Sequence, residues 1–216
     1  MNGAPEILWR ARGALVINKP AGLPVHAGRA GGPSVEDFFP LWRVGRNGPW
    51  LAHRLDTDTA GCLVVALKKT ALLEIQAEFA GHGVRKTYWA VVRGVPGHAE
   101  GVIDAPLLKV TRGRAWNMAV SPGGQAAVTA WRVRAVGQGQ ALVEFCPRTG
   151  RTHQIRAHAA HIGHPIMGDA VYGGGPGALQ LLARGIRLAA LGEVIEAEAP
   201  VPAHMRAALE MCGGAL

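Results

Sequence analysis

An α+β fold, with a mainly antiparallel mixed central β-sheet and flanking helices, is what this sequence predicts. Three observations carry the expectation. Strand-like segments outnumber helical ones, the helices fall between them without a regular alternation, and glycine- or proline-bearing turns separate the apolar runs. No internal repeat, low-complexity tract or linker interrupts the pattern, so the 216 residues are expected to form a single domain.

The elements follow in order. Residues 14–17 form a short apolar strand that ends in the turn residues Asn18-Lys19-Pro20-Ala21-Gly22. Residues 26–33 are glycine-rich, yet they lack the Gly-Lys-Ser/Thr ending of a P-loop and the spacing of a dinucleotide fingerprint, so no nucleotide cofactor is expected. Ser34 is placed to cap a short helix with Glu36 and Asp37 in its first turn, and Pro40 is expected to bend or end it. Residues 62–66 are an unbroken apolar run of strand length. Residues 70–80 place apolar side chains at 72, 75 and 79, close to helical spacing, with Gly81 and Gly83 as stop signals. A strand is expected over 86–92, then short pieces over 101–120 around a basic cluster of Lys109, Arg112 and Arg114. Residues 126–136 and 141–146 alternate like paired strands joined through Gly137-Gln138-Gly139. A helix over 152–162 meets its stop at Gly163, with Pro165 just beyond. Strand-like pieces over 180–188 and 194–199 precede a final helix opened by Pro202.

Composition narrows the function classes. No apolar run approaches the length of a membrane span and the start carries no signal peptide, so a cytoplasmic protein with no membrane partner is expected. Cys62, Cys146 and Cys212 are odd in number and far apart, which suggests buried thiols rather than disulfides or a zinc site. The net charge is +8 and unevenly placed: residues 61–180 hold 13 Lys or Arg against 6 acids, and residues 181–216 hold 3 against 4. A basic middle suits a polyanion-binding face.

The stretch from Leu51 to Gly61 sets Asp56 between Arg54 and a polar turn, directly before the buried run. A calcium loop is rejected, because its closing bidentate position would fall on Leu67. Two readings of the residues remain: a turn capped by Asp and Thr, or a catalytic carboxylate beside an arginine.

His53-Arg54-Leu55-Asp56, followed by Thr59 and Gly61, resembles the signature of the RluA-type pseudouridine synthases. Upstream, Asn18-Lys19-Pro20-Ala21-Gly22 through His26 resembles that family's opening strand and loop. Downstream, Lys86-Thr87-Tyr88 resembles its tyrosine motif, and Gly150 to His158 with Gly163 to Gly173 resembles its arginine motif. The blocks keep the family's order over about residues 13–201, and the clearest departure is Ala60, where the family usually has Ser. The resemblance implies a pseudouridine synthase fold whose catalytic cleft takes RNA. It also implies isomerisation of uridine to pseudouridine in ribosomal or transfer RNA, with no cofactor and no metal.

In that reading Asp56 is the catalytic carboxylate, acting as nucleophile or base, on a nucleotide extruded from its stack. Tyr88 stacks on the uracil or assists proton removal at C5, and Arg156 pairs with Asp56. Arg54, His53, Arg151, Lys86 and His153 are the expected RNA contacts, while Tyr172 is expected to be structural. His158, His161 and His164 repeat every third residue, but His164 lies past the helix stop and no Cys or Glu joins them. They are read as packing or RNA-facing residues rather than zinc ligands. The chain is expected to act as a monomer, as a stand-alone catalytic domain without the S4-like module of many relatives. The rival readings are an RNA-binding protein without activity and a glycosidic-bond hydrolase pairing Asp56 with Asp58. Two acids that close sit badly with the water-spanning geometry of inverting glycosidases.

Overall fold

The computed structural model describes residues 3–28, 31–113 and 115–213. The chain divides into two compact units, one formed by the residues up to Lys86 with Ala183–Pro200, the other by Thr87–Leu182 with Val201 onward.

In the first unit, β1 (Ile7–Arg10) pairs antiparallel with β2 (Ala14–Lys19), and β2 pairs with β4 (Ala60–Ala66) from Ala14 opposite Ala66 to Lys19 opposite Gly61. β3 (Trp50–Leu51) adds to β4. Every residue of β4 is buried, which is why its sequence reads as a continuous apolar run rather than an alternation. Helix α2 (Lys69–Ala80) buries Ala71, Leu72 and Ile75 and stops at Gly81, as its spacing predicts. Before these lies a 3-10 turn over Val35–Phe38 followed by the short α1 (Phe39–Trp42). Ser34 stands at the N-cap position as expected and its N–H donates to Asp37 at 2.9 Å, but its buried hydroxyl makes no capping hydrogen bond. Pro40 does not end a helix here. It sits in the first turn of α1, where a missing N–H costs nothing.

Strand β11 (Leu181–Ala190) begins in the second unit and runs on into the first, where it lies beside β4 and pairs with β12 (Glu193–Glu198). Leu191 and Gly192 close that hairpin with φ of 61° and 77°, the primed turn that suits strand twist. A Cβ at Gly13 nearby would come within 3.2 Å of Leu191 and 3.3 Å of Ala71, so those side chains would have to shift slightly to take one.

In the second unit β5 (Arg85–Arg93), β10 (Gln140–Pro147), β9 (Val128–Gly137) and β6 (Glu100–Asp104) form an antiparallel run in that order. β9 and β10 meet through the predicted turn, with Gln138 and Gly139 both at positive φ. One face of this run carries Ala90, Val92, Val143 and Phe145, packed with Ile155 and Ala159 of α3 (Gln154–His161). A separate two-stranded ribbon, β7 (Leu107–Arg112) with β8 (Ala115–Val120), is rooted on Ala127 and Ala157 through Leu107. Of the basic cluster expected there, Lys109 is exposed, while Arg114 lies outside the described residues. Helix α4 (Ala203–Met211) follows Pro202.

The expected α+β architecture is therefore present, and all the strand registers above are antiparallel. Among the described residues no helix is long and apolar enough to cross a membrane.

Candidate active site

Asp56 stands half-buried on the turn that leads into β4, and its carbonyl accepts the Thr59 N–H at 3.2 Å. The turn is held from below by a residue the sequence reading left unassigned. Lys19, at the end of β2, is 0% exposed and donates from Nζ to the carbonyls of Pro20 at 2.9 Å, Leu23 at 2.8 Å and Thr57 at 2.8 Å. All three ammonium protons are thus taken up by backbone oxygens of two loops. Gly22 N–H reaches the same Thr57 carbonyl at 2.9 Å, so the loops are laced together. Burial lowers the Lys19 pKa to about 8, against the opposing pull of Asp58 and Asp56.

His53 accepts the Val64 N–H on Nε2 at 3.0 Å and stacks on Phe79 with ring centroids 4.7 Å apart. Desolvation, helped by the positive charge of Lys86, lowers its pKa to about 3, so the ring is neutral near pH 7. Its expected role as an RNA contact gains nothing from this geometry; His53 instead fastens the Asp56 loop to β4. Arg54 is exposed and Lys86 half-buried, and desolvation lowers the Lys86 pKa.

The second unit assembles the other predicted residues around the start of α3. Tyr88, opposite Phe145 on β5, packs half-buried against the apolar face. Arg156, 7% exposed, gives Nε to Asp169 Oδ2 at 2.7 Å and Nη2 to Asp169 Oδ1 at 2.9 Å. This bidentate contact was expected of Arg156, but the carboxylate that takes it, Asp169, was not named. Asp169 is itself fixed, since its Oδ1 accepts the N–H groups of Val171 at 3.0 Å and Tyr172 at 3.2 Å. Asp56 and Arg156 belong to different compact units.

Arg151 is exposed and donates Nε to the Ala126 carbonyl at 3.0 Å. Its N–H goes to Gln154, a buried amide that also bonds Thr149, Val128 and Thr129, tying the head of α3 to β9. His153 precedes the helix in the left-handed region at φ 52°, stacked on Trp116 with centroids 4.8 Å apart. The helix therefore begins later than expected, at Gln154, because Thr152 and His153 are spent on the turn.

His158 and His164 have protein partners. His158 is buried, with Nδ1 at 2.9 Å from Thr129 Oγ1 and Nε2 at 2.9 Å from the Ala105 carbonyl, and burial lowers its pKa. His164 Nδ1 lies 3.0 Å from the Arg93 carbonyl. Among the described residues no three His, Cys, Asp or Glu side chains gather as metal ligands.

Asp56 on a turn ahead of a buried strand, and Tyr88 with the clamped Arg156 in the other unit, are the motif residues of a chain of net charge +8. Residues 13–161 match the family model described as RNA pseudouridylate synthase, and the chain belongs to that family. It is an isomerase that converts uridine in RNA to pseudouridine. It is similar to an uncharacterised RNA pseudouridine synthase of Zymomonas mobilis, 40% identical over 92% of this chain and 94% of that protein. It is also similar to ribosomal large subunit pseudouridine synthase D of the same organism, 39% identical over 78% of this chain and 56% of that protein. Among solved structures, human RNA pseudouridylate synthase domain containing 4 superposes with a TM-score of 0.82 at 28% identity, covering 96% of this chain and 92% of that one.

Proposed function

We propose that this enzyme isomerises specific uridines in a stem-loop of ribosomal or transfer RNA, with Asp56 as the catalytic carboxylate. The bond between C1′ and N1 breaks, the base turns, C5 bonds to C1′, and the C5 proton leaves while N1 gains one. The atoms balance without redox change. The observation that supports Asp56 most directly is the turn that carries it, anchored to a buried ammonium and to its neighbouring loop. A turn held in this way carries its acid on a fixed backbone before substrate arrives.

Tyr88 stacks on the extruded base or assists removal of the C5 proton, and Arg156 supplies the catalytic guanidinium. Arg54, Arg151, Lys86 and His153 contact RNA, the arginines through phosphate or by stacking. The motif-bearing residues act as one cytoplasmic catalytic domain and as a monomer. The ribosomal choice draws on the named activity of the similar large-subunit enzyme.

The test is tritium release from [5-³H]uridine-labelled RNA isolated from cells lacking this enzyme. Asp56→Asn is expected to abolish release while RNA affinity stays within a few-fold, because phosphate contacts carry most of the binding. Release by the Asn variant within a few-fold of wild type overturns the assignment. At saturating RNA, Arg156→Lys is expected to slow the single-turnover rate, since an ammonium lacks the guanidinium fork. A normal rate with weaker, more salt-sensitive binding would assign Arg156 to the RNA backbone.

A further inference from the structure

We infer that Tyr172 is a positioning residue for the reaction, its ring holding the Arg156 guanidinium while its hydroxyl fastens the β7–β8 ribbon to the head of α3. The inference rests on the proposed role of Arg156.

The bidentate contact with Asp169 fixes the guanidinium within its own plane. Two parallel hydrogen bonds still leave a soft motion, a rocking of the plane about the line that joins them. The Tyr172 ring stands against that motion, with Arg156 Cζ over it at 5.2 Å from the centroid. The same residue's N–H caps Asp169 at 3.2 Å, so one tyrosine steadies both members of the pair.

The other end of the side chain faces the ribbon. Tyr172 Oη accepts the Met118 N–H of β8 at 2.9 Å and shares a hydrogen bond with His153 Nδ1 at 3.1 Å. His153 holds a left-handed backbone that costs a non-glycine residue about 1 kcal/mol or more. It is kept there by stacking on Trp116 and by an edge contact with Tyr172, centroids 5.8 Å apart. Trp116 is 39% exposed near the ribbon's tip and carries Lys109 Nζ at 4.6 Å from its ring centroid. An exposed indole with a cation beside it is the pairing that takes an unstacked base and its phosphate. Contacts made by RNA on the ribbon are therefore carried through Tyr172 to the side chain that orients the reaction.

The two ends of the residue separate experimentally. Tyr172→Phe keeps the ring and loses the hydroxyl. Its rate at saturating tritiated RNA is expected within twofold of wild type, with the half-saturating RNA concentration raised about fivefold. Tyr172→Met fills the space with no ring, and its saturating rate is expected to fall at least tenfold. Trp116→Ala, at the exposed end of the ribbon, is expected to resemble the Phe variant. A Phe variant that loses rate, or that keeps its half-saturation unchanged, overturns the inference even if the Met variant does not fold. A Met variant with wild-type rate beside a slow Arg156→Lys enzyme removes Tyr172 alone. A wild-type rate in Arg156→Lys removes instead the reading of Arg156 on which the inference stands.

Discussion

Asp169→Asn is the sharpest test of the arginine centre. Asp169 is 1% exposed and Arg156 7%, and their two hydrogen bonds of 2.7 and 2.9 Å leave no room for water between the paired atoms. Asn is nearly isosteric and keeps an oxygen for the N–H groups of Val171 and Tyr172, so the turn itself survives. What is lost is the negative charge and the acceptor for one guanidinium edge, while the Arg156 charge stays in the interior. Removing one partner of a buried ion pair costs about 3–5 kcal/mol. At roughly 2–4 °C per kcal/mol for a chain of this size, the melting midpoint should fall by about 6–20 °C. Thermal melts followed by circular dichroism measure this, and the saturating rate of tritium release should fall with it because the guanidinium is no longer held in plane. Arg156→Met combined with Asp169→Asn completes the cycle. The double variant should melt well above the value obtained by adding the two single losses, since no buried charge is left without its partner. A midpoint within 2 °C of wild type, or strict additivity, would falsify the view that this pair organises the centre.

Other outcomes follow from single side chains. Tyr88→Phe should retain RNA affinity and lose rate, whereas Tyr88→Leu should lose both; full activity in both variants assigns Tyr88 to packing alone. His53, with its pKa lowered from 6.5 to about 3, favours the fold above pH 6.5, and that contribution is lost as the pH falls toward 3. Denaturant melts of His53→Gln, whose amide oxygen can still accept the Val64 N–H, should show a shallower loss of stability over that range. Lys19 acts in the same direction over a higher pH window. Its pKa is lowered from 10.5 to about 8, so the unfolded chain binds the proton more tightly, and folding becomes more favourable as pH rises between those values. The difference is worth up to about 3 kcal/mol, a gain with pH that Lys19→Met should not show in urea melts.

The sheet and helices were legible because their signals are local. The run over 62–66 reads as a buried strand by its length and valines, the 72–75–79 spacing as a helix face, and Gln138-Gly139 as a turn that accepts positive φ. Asp56, Tyr88 and Arg156 were legible as motif residues, because their neighbours in sequence carry the pattern. What was not legible was pairing at a distance. Nothing local says that Arg156 takes Asp169, 13 positions on, or that a lysine at the end of a short strand is buried. Lysines are among the residues least often found inside, and the three carbonyls that make this one tolerable come together only when the loops fold. The left-handed backbone of His153 was hidden for a related reason, since a residue that is not glycine adopts it only where its surroundings force it. Pro40 was misjudged because the chain takes a 3-10 turn first, which moves the proline from the middle of one helix to the start of another.

The Lys19 clamp has a consequence for how this loop can diverge. Its ammonium reads only carbonyl oxygens, of Pro20, Leu23 and Thr57, and takes no account of the side chains attached to them. A recognition written entirely in peptide groups is blind to residue type. Both loops can therefore drift in sequence, and their surface chemistry can be retuned toward a new RNA, while the acid stays where it is. The freedom ends only at substitutions that turn a carbonyl away.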